Sequence, residues 1–281
     1  MTGSTPPLRA GVMGWPISHS LSPTLHRYWL KEYGVVGDYL PFAVPPDELE
    51  AALRNLPSQG YKGVNVTVPH KENAMKFCDE LDEPAQRVGA VNMVSVTESG
   101  GLAGRNTDGI GFLENLRFGS KWQSGDGPAV VLGAGGASRA IVASLVDVGV
   151  PAIFICNRTH SRSELLADFF GKKCTATRWL DRNAVLGDAS LLVNTTSLGM
   201  LGQPSLEIDL SDLSSGAVVN DIVYAPLETR LLAAARAHGN PVVDGLGMLL
   251  YQARPAFQTW FGVMPEVSDG LRRFIQKKLD H

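Results

Sequence analysis

Short runs of alternating apolar and polar residues recur along the first hundred positions, separated by segments with a helical apolar period. LRAGVMG (8–14), DYLPFAV (38–44) and GVNVTV (63–68) read as strands. In the last of these, Val64, Val66 and Val68 alternate with Asn65 and Thr67, the pattern of a strand with one buried face. Pro69 ends it, because proline cannot donate to a sheet ladder. SPTLHRYWLKEYG (22–34), PPDELEAALRNL (45–56) and KENAMKFCDEL (71–81) predict helices. The first has Ser22 as its N-cap and Pro23 in its first turn, and stops at Gly34. AVNMVSV and GLAGRNT predict a hairpin around Glu98–Gly101. The alternation argues for an α/β layer on a mostly parallel sheet.

The pattern restarts after a polar, glycine-rich stretch. NTDGIGFLENLRFGSKWQSGDGP (106–128) holds one helix and a link, and a second α/β series begins at Pro128. Its strands read AVVLG, AIFIC, SLLVNTT, AVVNDIV and PVVDG, with helices such as SRAIVASLVDVG and LETRLLAAARAHG between them. GMLLYQARPAFQTWFG and PEVSDGLRRFIQKKL close the chain as two helices without a strand, so they are expected to pack back on the first series.

Composition narrows the class. The 281 residues are 44% hydrophobic and 19% charged with a net charge of −3, the balance of a compact protein without a basic face for nucleic acid or anionic membrane. No run of about 18 apolar residues could span a bilayer. Cys78, Cys156 and Cys174 are far apart and lack a C-x-x-C pair, so they read as reduced thiols of a cytoplasmic protein and offer no metal site.

Chemistry first shows in VVLGAGGASRA. Gly133, Gly135 and Gly136 lie between a buried strand and an apolar helix, where they permit a tight turn and let a pyrophosphate approach the helix N-terminus. Ser138 takes the third small position. The next strand would carry an Asp or Glu at its end to hold the ribose hydroxyl of NAD. Here it ends in Asn157, Arg158 and Thr159, followed by Arg162. Arginine pairs with a 2′-phosphate, so the loop favours NADP.

Reduction of a carbonyl also needs a proton donor and groups that hold the substrate. Ser20, Ser22, Asn65, Thr67, Lys71, Asn92 and Asp108 all fall at strand ends of the first series, and open α/β sheets bind ligands beyond the carboxyl ends of their strands. Lys71 is the odd one, a cation on the first turn of a helix, where the dipole disfavours it. Ser22 and Asp108 also serve as helix caps, and His19 and His70 read as local hydrogen-bonding or packing residues.

Together, HSLSP, NVTVPHK, GAVN, NTDGIGF, GAGGASRA, NRT, NTTSLGM, DIVYAPLETRLL and GLGMLLYQA resemble the shikimate dehydrogenases, in order and spacing, from about Gly11 to Phe261. The resemblance implies two α/β domains: an N-terminal substrate domain, residues 1–107 plus 246–281, and a doubly wound Rossmann-type NADP domain, 108–245. It implies reversible NADP-dependent reduction of 3-dehydroshikimate to shikimate, a step of aromatic amino acid biosynthesis. By matching motif, Lys71 and Asp108 are the catalytic pair. Ser20, Ser22, Thr67, Asn92, Tyr224 and Gln252 join them in holding the substrate. Gly133, Ala134, Gly135, Gly136, Ala137, Asn157, Arg158, Thr159 and Arg162 hold NADP. Ile222 and Gly245 touch its nicotinamide end, with Glu83 near the cofactor. The partner is a small molecule, the chain a monomer or homodimer. Met93 and Trp15 depart from the family's usual threonine and small polar residue. The rivals are a paralogue acting on quinate or an aminated shikimate, and a non-catalytic NADP-binding sensor.

Overall fold

The computed structural model describes residues 7–279. The chain forms two compact units, one from the chain up to Thr107 with Gln252–Ile275, the other from Asp108–Tyr251 with the chain from Gln276 on.

The first unit runs β1 (Leu8–Gly14), α1 (Ser22–Glu32), β2 (Gly37–Ala43), α2 (Leu49–Arg54), β3 (Gly63–Val66), α3 (Lys71–Ala74), β4 (Glu80–Leu81), α4 (Glu83–Val88), β5 (Met93–Val96) and β6 (Leu102–Arg105). Its sheet has the order β2-β1-β3-β5-β6-β4. β1 is parallel to β2 and β3, but β5 is antiparallel to both β3 and β6. Five of the six strands therefore run the same way and β5 alone runs against them, so the sheet is mostly parallel, as the alternation of elements predicted, with one reversed strand. The tight turn at Thr97–Gly101, with Gly100 at φ +85°, reverses the chain and fixes the β5–β6 register.

Both faces of this sheet are covered. Val64 and Val66 pack on one side with Leu49, Leu53 and Leu102. Asn65, expected on an open face, is buried at 6% exposure. Two partners make that burial tolerable: Tyr39 Oη donates to its Oδ1 at 2.7 Å, and its Nδ2 donates to the Asn92 carbonyl at 3.1 Å. The opposite face carries aromatic rings, among them Trp29, Tyr39, Phe257 and Trp260, all buried.

KENAMKFCDEL does not form one helix. Four residues are α-helical, Met75–Phe77 is a 3-10 turn, and Cys78 is extended. The Asp79 carboxylate accepts from Leu102 N at 2.8 Å and pairs with Arg54, and Glu80–Leu81 then adds a strand beside Ala103–Gly104. Sheet pairing outcompetes a helical apolar period that would have carried on through Leu81.

The second unit runs α5 (Asp108–Gly119), β7 (Ala129–Leu132), α6 (Gly136–Asp147), β8 (Ile153–Asn157), α7 (His160–Phe170), β9 (Cys174–Arg178), β10 (Leu191–Asn194), β11 (Val218–Asp221), α8 (Arg230–His238) and β12 (Val242–Val243). Every strand pair is parallel, in the order β12-β11-β10-β7-β8-β9, a doubly wound sheet whose order reverses at β7. Alternate residues feed two cores: Val131, Ile155 and Val193 face Ile141 and Leu166, while Val130, Leu132 and Leu192 face Leu231 and Leu213. β9, CTATR, is an edge strand, mostly accessible and without an apolar run, so its sequence carries little strand signal.

α9 (Leu246–Phe261) and α10 (Asp269–Leu279) follow. The later turns of α9 pack on the first unit's sheet, as expected: Trp260 Nε1 donates to Ser95 Oγ at 3.0 Å, and a Cβ on Gly63 would overlap the same indole. Trp260→Ala should cost about 3–5 kcal/mol, the scale for deleting a buried aromatic. Urea unfolding followed by circular dichroism reads this as a lowered midpoint, and an unshifted midpoint would remove Trp260 from the core.

Candidate functional site

The topology of the first sheet gathers polar residues along one edge. β1 and β3 are parallel and leave the sheet at Gly14 and Val66. Because β5 is antiparallel to β3, it enters at that same edge, with Asn92 just before it. β6 leaves there again, followed by Asn106, Thr107 and Asp108. The first unit's segments 15–21, 67–71, 90–92 and 106–107 thus share one rim.

Asn92 is the fixed point of the rim, 2% exposed. Its carbonyl accepts from Val66 N and Asn65 Nδ2. Its Oδ1 accepts from Thr107 N at 2.9 Å, and its Nδ2 donates to Thr107 Oγ1 at 3.0 Å and to Gln252 Oε1 at 3.2 Å. Thr107 Oγ1 in turn donates to the Gln252 carbonyl at 2.8 Å. The structure therefore brings Asn92 and Gln252, 160 residues apart, into direct contact.

Thr67 and Lys71 follow β3. Gly14 leaves room for Thr67, since a Cβ there would lie 2.5 Å from Thr67 Cγ2. Thr67 N donates to Met13 O, and His70 N to Thr67 O, which closes the turn that presents Lys71. His70 is fully buried with Nε2 2.8 Å from Val44 O, a packing and hydrogen-bonding residue, whereas His19 is exposed. The Lys71 carbonyl accepts from Val91 N at 2.8 Å, so the lysine's backbone is tied to the residue preceding Asn92. The lysine itself remains partly accessible. Asp108 is buried at the first position of α5, where its charge suits the helix dipole.

Ser22 is not an N-cap. Leu21 holds the cap position with helical torsions, and no side chain caps the helix. Ser22 N instead reaches Ser20 Oγ at 3.4 Å, and Ser22 is 7% exposed. Met93 is fully buried in the sheet, whereas Trp15 is 47% exposed at the rim, its N–H bonded to Val68 O. Glu83 is exposed in the first turn of α4, in the unit that carries Lys71 and behind the Asp82 cap.

In the second unit, β7 runs into Gly133 at φ +116°, a conformation that needs glycine, and a Cβ there would overlap Thr195 Oγ1. Ala134 and Ala137 are partly accessible, and α6 starts at Gly136. Ser138 is fully buried and its hydroxyl binds Gly135 N and Thr195 Oγ1, which shows why a small polar residue fits the third position. At the end of β8, Asn157 Nδ2 donates to Thr159 O at 2.8 Å. Arg158, Thr159 and Arg162 are exposed beside it.

Two strand ends further along, a Cβ on Gly245 would overlap the Ile222 carbonyl, so these two residues are in backbone contact. A Cβ on Gly247 would likewise strike the Asn115 amide, whose Nδ2 donates to Asp244 O at 2.7 Å. Tyr224 is partly accessible, and burial of its ring raises its phenol above the ordinary value. No cluster of His, Cys, Asp or Glu fit for a metal occurs among the described residues. All three cysteines are free thiols whose pKa values are pushed up by burial.

Comparison with known proteins agrees with this layout. Residues 12–94 match the shikimate dehydrogenase substrate binding domain, 120–201 the shikimate / quinate 5-dehydrogenase family, and 245–270 the shikimate 5'-dehydrogenase C-terminal domain. A shikimate dehydrogenase (NADP(+)) of Paramagnetospirillum magneticum is 56% identical over 95% of this chain and 97% of its own. The chain belongs to the shikimate dehydrogenase family. The crystal structure of the Thermus thermophilus shikimate 5-dehydrogenase with NADP(H) and shikimate superposes with a TM-score of 0.86 at 37% identity, covering 97% of this chain and 99% of that one. A quinate dehydrogenase from Corynebacterium glutamicum in complex with NAD gives the same TM-score at 31% identity, over 96% and 99% of the two chains. The fold is thus the family's own: an N-terminal α/β substrate domain and a Rossmann-type NADP domain.

The second unit's loops fit a phosphorylated dinucleotide of the kind this family uses. Gly135 and Gly136 face open space where a Cβ would stand, so no internal contact demands glycine at either position. That space lies at the N-terminus of a 12-residue helix, a ready anion site. Arg158 and Arg162 form no ion pair or side-chain hydrogen bond among the described residues, and no carboxylate occurs from Asn157 to Ser163. Two unspent cations without a competing acid suit an extra phosphate.

The sequence reading missed one buried carboxylate that organises this unit's strand ends. Asp221 has no exposed surface. Its Oδ1 accepts from Asn194 Nδ2 and Val223 N and its Oδ2 from Thr229 Oγ1, tying β10, β11 and α8 together. Burial outweighs these bonds and lifts its pKa from 3.8 to about 6. The folded chain therefore holds this proton more tightly than the unfolded chain. The stabilisation is fully present below about pH 4 and is lost as pH rises through about 6, on the order of 3 kcal/mol in all. Asp221→Asn should flatten the stability–pH curve between about pH 4 and 6.5. Urea midpoints across that range test it, and an unchanged slope would contradict the assignment.

Proposed function

We propose that this chain catalyses the reversible, NADP-dependent reduction of 3-dehydroshikimate to shikimate in aromatic amino acid biosynthesis. The rim of the first sheet carries the reading, because it places hydroxyl, amide and ammonium groups along one edge, as a polyhydroxylated ring requires. We assign residues 1–107 with 246–281 to the substrate domain and 108–245 to the NADP domain. Ser20, Ser22, Thr67, Asn92, Tyr224 and Gln252 hold the substrate's hydroxyls and carboxylate, with Lys71 and Asp108 at the reacting end. Gly133, Ala134, Gly135, Gly136 and Ala137 take the pyrophosphate. Asn157, Arg158, Thr159 and Arg162 take the phosphorylated ribose. Ile222 and Gly245 meet the nicotinamide end through their backbone, and Glu83 stands near the cofactor.

Held by these residues, NADPH would supply the hydride. Lys71 Nζ delivers a proton to the C3 oxygen as that oxygen takes on alkoxide character, and in the reverse direction accepts it from the shikimate hydroxyl. Asp108 orients the Lys71 side chain toward that oxygen. The setting is cytoplasmic, and the working form is a monomer or homodimer on a freely diffusing substrate. In support, no helix among the described residues is long and apolar enough to cross a membrane.

A matrix of shikimate or quinate with NADP⁺ or NAD⁺, followed by nicotinamide absorbance, tests the assignment. Fast turnover is expected only with shikimate and NADP⁺. Preference for quinate would move the chain to the rival specificity, and no turnover by a folded, NADP-binding protein would make it a sensor. Lys71→Ala should lower kcat by about 10²-fold or more while NADP binding persists, and undiminished kcat would exclude Lys71 from proton transfer. Arg158→Asp should raise KM for NADP⁺ by roughly tenfold or more, since a carboxylate there repels the 2′-phosphate. An unchanged KM would show that Arg158 does not meet that phosphate.

A further inference from the structure

The rim residues just described stand on a group that cannot itself reach a ligand. Tyr39, at the centre of β2, is fully buried. Its ring stacks on His26 with centroids 3.9 Å apart and planes 9° apart. Both nitrogens of that imidazole are buried without a partner, and burial pushes its pKa down to about 3, so the stack is neutral at working pH. Trp29, Phe257 and Trp260 close around the pair. The two indole N–H groups bond outside the stack, to Glu266 O and Ser95 Oγ, and the phenol oxygen bonds outside it as well.

That oxygen makes one strong bond, donating to Asn65 Oδ1 at 2.7 Å. Ser22 lies against it as well, its hydroxyl opposing the rise in the phenol's pKa that burial causes. A carboxamide can face either way round, and its neighbours decide which. The phenol proton requires an oxygen on its side, and the Asn92 carbonyl requires the N–H₂ on the other, where Nδ2 donates at 3.1 Å. With both demands met, Asn65 holds the Asn92 carbonyl from one side while Val66 N holds it from the sheet. The Asn92 side chain then reaches Thr107 and Gln252.

We infer that Tyr39 is a positioning residue: through Asn65 its hydroxyl fixes Asn92, and with it Gln252, in the orientation that receives the substrate. The inference rests on the proposed use of Asn92 and Gln252 as substrate ligands. Without the hydroxyl, Asn65 Oδ1 is left buried and unpaired, and the amide loses one of its two directional constraints. The aromatic stack, which needs only the ring, is untouched.

Tyr39→Phe separates the two contributions. The expected result is a rise of about tenfold in KM for shikimate. KM for NADP⁺ should stay within about twofold and the thermal midpoint should fall by only a few degrees. Asn65→Ala should raise the same KM, and adding Tyr39→Phe to it should change nothing further, because both act through one chain of bonds. An unchanged shikimate KM in Tyr39→Phe, or additive effects in the double variant, would overturn the inference. A second readout needs no turnover: the Asn65 and Asn92 side-chain amide resonances in ¹H–¹⁵N spectra should move in Tyr39→Phe while those of the glycine loop stay. Fixed Asn92 resonances would also sink it. The wild-type matrix decides separately whether the substrate is shikimate, and if quinate is turned over instead, its KM replaces shikimate's in the same comparison.

Discussion

A buried primary amide has two N–H donors and two acceptor lone pairs to satisfy, and the first unit is arranged around meeting that demand at Asn92. Its side chain bonds Thr107 and Gln252, and its carbonyl takes two donors from the neighbouring strand. These bonds join β3, β5, the end of β6 and α9, elements distant in the chain. Each bond is modest alone, yet leaving any partner unpaired in a buried site costs far more than the bond contributes. The network therefore holds as a set. It also explains the antiparallel entry of β5, because only that direction brings residue 92 to the edge where β3 and β6 leave the sheet.

Signals of local origin were legible in the sequence. The valine alternation of GVNVTV marked β3, and the strand–glycine–helix succession at VVLGAGGASRA marked the turn from β7 into α6. The arginines after β8 could be read because a missing acid is visible in seven residues. What escaped was set by distant partners. Tyr39 and Asn65 are 26 residues apart, and nothing in either segment announces the bond that lets Asn65 be buried. KENAMKFCDEL has a helical period, but Asp79 answers to Leu102 and Arg54. Ser22 carries the composition of a cap, yet Leu21 takes the cap position. Asp221 sat inside a strand whose apolar run hid it.

The glycines of the second unit divide by physical cause. Gly133 needs its backbone conformation, and Gly245 and Gly247 are needed because a side chain would strike the Ile222 carbonyl or the Asn115 amide. Gly135 and Gly136 meet neither condition. Glycine at these two positions leaves the start of α6 open to solvent and serves no internal contact. The same motif thus mixes glycines that shape the loop with glycines that leave it open.

On the assignments proposed above, the two units would meet their ligands differently, and the ligand chemistry accounts for the difference. A substrate whose hydroxyls must be told apart calls for donors and acceptors of fixed direction, and the amides of the first unit are locked by Tyr39, Thr107 and Gln252 before any ligand arrives. A phosphate is a nearly spherical charge that accepts bonds from many directions, so exposed arginines can meet it without being held beforehand. Arg158 and Arg162 are of that kind. Rigidity is concentrated where direction carries the discrimination, and loose charge is left where attraction suffices.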